Sequence, residues 1–524
     1  MRLCAGEGPL SRFVDLRALQ APFSPRLCFA VDRRIGTLVA LALALSTSAC
    51  AVGPDYVTPA FDLPARWSDQ QHQRKEPAPP QLAHWWERLN DRTLNALIAQ
   101  AVDGNLDVAT AKAKIREARA TYRQQVGGLF PQVDGSASAT RGDNGSRVSS
   151  GGDVTVGGLY TQYQAGFDAS WELDLFGANR RGVEASKYAM QAAEDELRGT
   201  LLTLVGDIAS NYVEARGYQA RMALAQRTAA SQRETEALTR TKLAAGGASA
   251  MDVANAAGLA ASTEANVPEL RAALAQSVHR LSVLTGQPPG ALTAQLSRGG
   301  AIPSPRLRVA KGVPADVLRN RPDVRQAERT LGQSTALVGQ AEANRYPAVS
   351  LTGNLTTQGT KLGDLARGSS ISWSYGPSLT VPVFTGGQLK AAVDIAAAQR
   401  DQSFLAYHAA ILTALEDVEN AVVSLTQERI KSGKLAESAA SYRDATRLSR
   451  TLYQNGSTSF LDVLDAERSL YSAEDSLLQS RVAMATDYIA LNKALGGGWD
   501  GDVEVMTPAV VDENTGPHFS ALQP

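Results

Sequence analysis

Two segments of this chain alternate apolar and polar side chains over their whole length, and only an extended strand with two differently solvated faces uses such a pattern. From Tyr163 to Leu175 the odd positions are Tyr163, Ala165, Phe167, Ala169, Trp171, Leu173 and Leu175, against Gln164, Gly166, Asp168, Ser170, Glu172 and Asp174. From Ile371 to Val383 the odd positions are Ile371, Trp373, Tyr375, Pro377, Leu379, Val381 and Val383, against Ser372, Ser374, Gly376, Ser378, Thr380 and Pro382. Each is long enough for the roughly 9 to 11 residues with which a tilted strand crosses a bilayer. Each is preceded by a weaker partner: Val133, Gly135, Ala137 and Ala139 in the first case, Val349, Leu351, Gly353 and Leu355 in the second.

The expected strands therefore cover about 132–141, 160–175, 348–356 and 371–384, with Gly- and Ser-rich stretches between partners reading as loops. Four strands cannot close a cylinder in lipid, because every unpaired backbone group there costs several kcal/mol. Closure has to come from neighbouring copies, with Tyr163, Phe167, Trp171, Trp373 and Tyr375 facing lipid and the even positions lining a wet bore. A soluble sandwich with one wet face is the alternative that the strands alone allow.

The chain states this arrangement twice. Asp107-Val108 matches Asp323-Val324 and Pro131 matches Pro347 at an offset of 216, whereas Thr241, Gly246, Ser249, Asp252, Val253 and Gly286 match Thr451, Gly456, Ser459, Asp462, Val463 and Gly496 at 210. So many coincidences at fixed offsets indicate a duplicated unit. We place a first repeat at 85–300 and a second at 301–496, with an extended linker over 50–84 and a poorly ordered tail over 497–524.

After Phe176-Gly177, and again after Phe384 to Gly387, helical periodicity runs to Gly246 and to Asn455-Gly456. That is about 65 to 70 residues, or a rod of roughly 100 Å at a 1.5 Å rise. Ile411, Leu415, Val418, Val422 and Leu425, like Leu201, Val205, Ile208, Tyr212 and Ala215, step as a coiled-coil seam does. At Gly246-Gly247 and Asn455-Gly456 the rods reverse, since these residue types accept the positive φ of a helix end. Return helices follow, with a kink expected at Pro268, which has no equivalent in the second repeat. Rods alone would also suit an envelope-spanning structural coiled coil.

The balance of 52 basic and 53 acidic residues leaves no surplus for nucleic acid. Five scattered histidines, six scattered methionines and the lack of a phosphate loop or nucleophile elbow give no enzymatic chemistry, no metal site and no cofactor. Arg33-Arg34, the apolar stretch Ile35 to Leu45 and Ser46 to Ala49 before Cys50 form a secretory signal over 1–49, with residues 1–30 suiting an overlong start. Cys50 after small residues resembles a bacterial lipobox, although Thr47 stands where Leu is usual. That likeness implies lipid on Cys50, and Ala51 after it implies sorting to the outer membrane.

Taken together, Cys50-Ala51-Val52-Gly53-Pro54-Asp55-Tyr56, Trp85-Trp86, Trp171 to Gly177, Arg319 to Val324, Tyr346-Pro347 and Leu461 to Ala466 resemble the OprM/NodT-type outer-membrane factors, relatives of TolC. These are the exit ducts of resistance-nodulation-division efflux pumps. The resemblance implies a homotrimer in which a 12-stranded outer-membrane barrel continues into a 12-helix periplasmic tunnel. It also implies a periplasmic adaptor at the helical tips, Gly246, Gly247, Asn455 and Gly456, and an inner-membrane pump as energy source. Carried over, the periplasmic gate comprises Tyr453, Leu461 and Asp465, with Leu243, Met251 and Asn255 at the matching positions of the first repeat. Leu452 stands where relatives often carry a basic residue. A TolC-type protein-secretion duct is the neighbouring alternative.

Overall fold

Each half of the chain builds the same series of elements, in most cases of identical length. The computed structural model describes residues 51–62, 64, 67, 82–143, 147–148, 154–155, 158–304 and 319–511. The expected signal segment over 1–49, Cys50 and residues 512–524 lie outside the described residues. After a short helix α1 (Arg92–Gly104), the first series runs α2 (Leu106–Gly127), β1 (Gln132–Asp143), a two-residue ribbon β2 (Arg147–Val148) and β3 (Val154–Thr155), β4 (Leu159–Leu173), α3 (Ala178–Ala244) and α4 (Ala250–Leu284). A single helical turn α5 (Thr293–Leu296) leads on to the second: α6 (Pro322–Ala343), β5 (Ala348–Gly359), β6 (Ile371–Thr380), α7 (Gln388–Gln454) and α8 (Phe460–Ala494). Leu106 and Pro322, like Gln132 and Ala348, lie 216 residues apart, whereas Ala178 and Gln388, like Ala250 and Phe460, lie 210 apart. The missing residues fall in the second strand pair, where β6 is shorter than β4.

The rods α3 and α7 are 67 residues each, about 100 Å long at 1.5 Å per residue. Both end on a glycine with positive φ, Gly246 at 77° and Gly456 at 76°. The reversal uses one residue of each expected pair, since Gly247 and Asn455 keep ordinary φ. Gly247 N–H donates to Lys242 O at 2.8 Å and Ser457 N–H to Leu452 O at 2.8 Å, satisfying carbonyls that a helix end leaves orphaned. The return helices then start in matching capping boxes, Ser249 with Asp252 and Ser459 with Asp462. Pro268 does not interrupt α4, which is one helix over Ala250–Leu284. Pro268 and Glu264, the residue whose carbonyl loses its partner, are both exposed, so water can serve that carbonyl.

At each level four helical rods lie side by side. Near the tips α3 packs between α4 and α8, with α7 beyond α8; nearer the sheet α3 packs between α2 and α6, with α7 beyond α6. Helix α4 hands over to α2 at Asn105, whose Oδ1 caps α2 by accepting from Asp107 N–H (2.8 Å) and Val108 N–H (3.1 Å) while its Nδ2 donates to Leu284 O (2.9 Å). Helix α8 hands over to α6 at Arg321, whose guanidinium donates to Ala494 O at 3.2 Å and pairs with Asp323 and Asp417.

The core sits at this handover level. Leu94, Leu97, Ile98 and Ala101 of α1 pack on Leu201, Val205, Ile208 and Tyr212 of α3, with Trp85, Trp86 and Tyr488 alongside. The seams expected from periodicity are the buried ones: Ile411, Val418 and Val422 are covered, with Leu415 and Leu425 partly so. Burial and a 2.6 Å hydrogen bond to Asp91 push the Tyr212 hydroxyl up to about 12, so it stays a donor and accepts in turn from Arg216 Nε.

The expected tail is corrected over residues 497–511. Gly497 O accepts from Trp85 Nε1, Trp499 stacks on Trp86 at 6.1 Å, and Arg116 donates to Val505 O at 2.7 Å. The segment forms no helix or strand, so it carries no periodicity; it is ordered by partners almost 400 residues away. The linker is also held in its described part, where Trp67 is buried against Val418 and Leu491.

Candidate functional site

The four long strands form one antiparallel sheet in the order β1-β4-β5-β6, with β1 and β6 as open edges. Residues directly opposite one another in such a sheet share a face. Gly135, Phe167, Leu355 and Trp373 make one row across all four strands; Val133, Ala169, Gly353 and Tyr375 make another. The polar set is equally continuous: Asp134, Asp168, Asn354 and Ser374 stand in one row, and Ser374 donates to Asn354 Oδ1 at 3.1 Å from both its N–H and its hydroxyl. The apolar face is uncovered, with Phe167, Trp373 and Tyr375 59%, 68% and 78% exposed.

Tyr163 and Trp373 lie nearer the hairpin turns, with Tyr375 stacked on Trp373 at 5.8 Å in the middle of β6; Trp171, with Phe176 stacked on Tyr346 at 4.8 Å, lies toward the helices. Trp171 is half-buried, and its indole N–H donates to Leu129 O at 3.0 Å. The expected strand 371–384 stops at Thr380, ahead of Pro382, which has no N–H for a ladder.

At the helical foot of the sheet the chain's N-terminal segment is clamped in place. Val52 N–H donates to Phe176 O (3.0 Å), and the buried Arg181 reaches Val52 O, Gly53 O and the Asp55 carboxylate (2.7 Å). Ala51, the residue after Cys50, lies against Gly177, four residues past the end of β4. Arg181 was not singled out from the sequence, because its partners are about 130 positions away and follow no period.

The candidate gate residues separate into two groups. Tyr453 is 5% exposed: its ring packs on Phe460 and Val463, and its hydroxyl donates to Thr239 Oγ1 at 3.3 Å, tying the second hairpin to the first. Leu461, Asp465, Met251 and Asn255 are exposed on α8 and α4, close to the tips, with Leu461 and Met251 61% and 69% exposed. Leu243 is about one-third exposed. Sequence reading missed Lys242, a basic residue close to the tip of the first hairpin. Its Nζ donates to Tyr453 O at 2.6 Å and sits 4.5 Å from the Tyr453 ring centre, so a cation caps the negative end of α7. The offset of 210 that relates the hairpins aligns Lys242 with Leu452, so at this pair of positions the cation stands on the first hairpin and not on the second.

Buried polar groups link the hairpins above the tips. Glu467, 4% exposed, accepts from Thr235 Oγ1 (2.8 Å) and pairs with Arg450 (2.8 Å), while the amide of the buried Gln232 has no hydrogen-bond partner among the described residues. This seam contrasts with the apolar one at the level of Tyr212. Its arrangement is one of packing and charge.

Comparison with known proteins agrees with this geometry. The family described as Outer membrane efflux protein matches residues 97–287 and 313–497, once per repeat. Nodulation protein T of Rhizobium leguminosarum bv. trifolii is 36% identical over 459 residues, covering 87% of this chain and 96% of that protein. The solvent efflux pump outer membrane protein SrpC of Pseudomonas putida is 32% identical over 462 residues, covering 87% and 97%. Among solved structures, the outer-membrane channel OprN superposes with a TM-score of 0.79 at 34% identity, covering 86% of this chain and all of that one. With two family matches that fall on the two halves of a duplicated, two-faced channel wall, the chain belongs to the outer membrane efflux protein family and is a non-enzymatic outer-membrane channel of an efflux system.

Proposed function

We propose that three copies of this chain close into a passive exit duct, a 12-stranded barrel in the outer membrane continuous with a 12-helix tube in the periplasm. One observation carries the reading: the two open sides of the protomer are unlike at every level. Strand β1 and the rod made by α2 and α4 form one side, and β6 with α7 forms the other. Unlike edges join head to tail, and a head-to-tail contact that closes makes a ring. Two copies would give eight strands, whose interior side chains fill; three leave an aqueous bore.

The stripe on α7 that would meet the next copy is apolar. Leu405, Leu412, Val423 and Ile430 are each more than half exposed, an arrangement that water disfavours in a lone rod. The clamp on residues 51–55 supports lipidation of Cys50, because it fixes the following residue at the membrane-side end of the helices, where an acyl chain enters the same leaflet. The tips, Gly246, Gly247, Asn455 and Gly456, are the docking point we assign to a periplasmic adaptor, with an inner-membrane pump supplying energy. The relatives include a solvent efflux pump component, and small molecules of that kind are the cargo class we assign here.

Within the gate we assign Leu461 and Asp465 to the constriction, with Met251 and Asn255 beside them on the first hairpin. Tyr453 acts as a brace and Lys242 as the latch that holds it. Native mass spectrometry of the detergent-solubilised protein should give a trimer, and planar bilayers should show rare, small openings. Both Lys242→Ala and Asp465→Ala should raise open probability several-fold. A monomer, or bilayers that stay silent with all three proteins, defeats the reading.

A further inference from the structure

We propose that the outer rim of each protomer binds the phosphate groups of outer-leaflet lipid A through Arg141, Lys361 and Arg367. The proposal rests on the outer-membrane placement above, with the hairpin turns outward. Arg141 stands opposite Thr161, on the same face as Phe167 and Trp373. Tyr163 stands opposite Gly359, the last residue of β5, and Lys361 lies two residues further on in the bend that follows.

The connection from β5 to β6 then folds back over the outside of the sheet. Thr357, on the lipid side, donates from its hydroxyl to Leu365 O at 2.9 Å. A Cβ on Gly359, pointing to the same side, would lie 2.3 Å from Asp364 Cβ, so only glycine permits the fold-back. Asp364 holds this loop together: it accepts from Lys361 N–H at 3.0 Å and pairs with Arg367 at 3.1 Å. That leaves the Arg367 side chain 70% exposed, with Leu362 68% exposed beside it.

Just below, toward the helices, Tyr163 stands opposite Gly359, and Trp373 is the third residue of β6 from its hairpin end. Tyr and Trp rings favour the depth where hydrocarbon gives way to headgroups, so cations one step further out meet the anionic layer. In the outer leaflet of this membrane that layer is the phosphorylated glucosamine of lipid A. Leu362 and the aromatic rings supply contacts for its acyl chains. Among the described residues, Asp143 lies two residues further out than Arg141, opposite Leu159, and Arg147 follows in β2.

The test uses the full-length trimer in detergent, with hexa-acylated bisphosphoryl lipid A as probe and native mass spectrometry as readout. Wild type should retain lipid A against washing with phosphatidylcholine. The combined variant Arg141→Gln, Lys361→Gln, Arg367→Gln should lose at least tenfold in occupancy, and Gly359→Ala, which keeps every charge but displaces the loop, should also weaken it. Equal occupancy in wild type and the triple variant overturns the proposal, as does release by millimolar inorganic phosphate, which would make it a small-anion site. Bilayer conductance is recorded on the same samples and on Lys242→Ala and Asp465→Ala: pores with no lipid A preference refute the rim alone, whereas silence from wild type and both gate variants refutes the duct and the rim with it.

Discussion

At the scale of single residues, neighbours one position apart on β4 have opposite fates. Phe167 lies on the uncovered apolar face and Asp168 in the polar row with Asp134 and Asn354. An arginine in lipid near the bilayer midplane costs about 2–4 kcal/mol, and a closed ring would carry it three times. Phe167→Arg should therefore abolish the heat-dissociable oligomer in outer-membrane fractions, while Asp168→Ala should assemble at near wild-type level; equal yields would mean that the two faces are assigned wrongly. The tip residue Asp462 behaves differently. Hydroxyl donation from Thr458 and Ser459, with the Ser459 N–H, holds its carboxyl below the usual range. A depressed carboxylate stabilises the fold above its unfolded pKa of about 4 and loses that contribution as pH falls through the folded value. Amide exchange at Val463 and Leu464, corrected for intrinsic rate, should thus stay slow down to about pH 4 and accelerate only below it. Asp462→Asn should remove most of that acid response.

At the scale of elements, hydrophobic periodicity was informative wherever one chain buries its own face. The seams at Leu201 to Ala215 and Ile411 to Leu425 were legible because the partner helices lie in the same chain. Periodicity could not say that Leu405, Leu412 and Ile430 would remain bare, since a second apolar stripe on a rod reads as more core until the packing is known. Burying one leucine is worth about 1.5–3 kcal/mol, so Leu412→Glu should shift the detergent-solubilised protein from oligomer to monomer in light scattering, without loss of helix by circular dichroism. An unchanged oligomer would place the contact between copies elsewhere. Irregular segments were the least legible. The strap at 497–511 and the clamp on residues 51–55 depend on Arg116, Arg181 and Trp85, single residues whose partners obey no local rule. The same holds at the tips, where Tyr453 was foreseen as part of the gate and is found packed between hairpins, with Lys242 as its unforeseen partner.

At the scale of the whole molecule, the sequence by itself determined the repeat, the strand faces, the rod lengths and the reversals. Each follows from short-range physics: a period of two or of 3.6, a glycine where φ must be positive, an acid or hydroxyl where helix N–H groups need a partner. The tertiary structure alone decided how the repeats stand beside one another. It set β4 against β5, so that one apolar face runs unbroken across four strands, joined α4 to α2 and α8 to α6 into rods, and left two unlike edges open from the sheet to the tips. Those outcomes depend on contacts between residues hundreds of positions apart, whose pairing is fixed by shape and buried polar groups rather than by any local pattern.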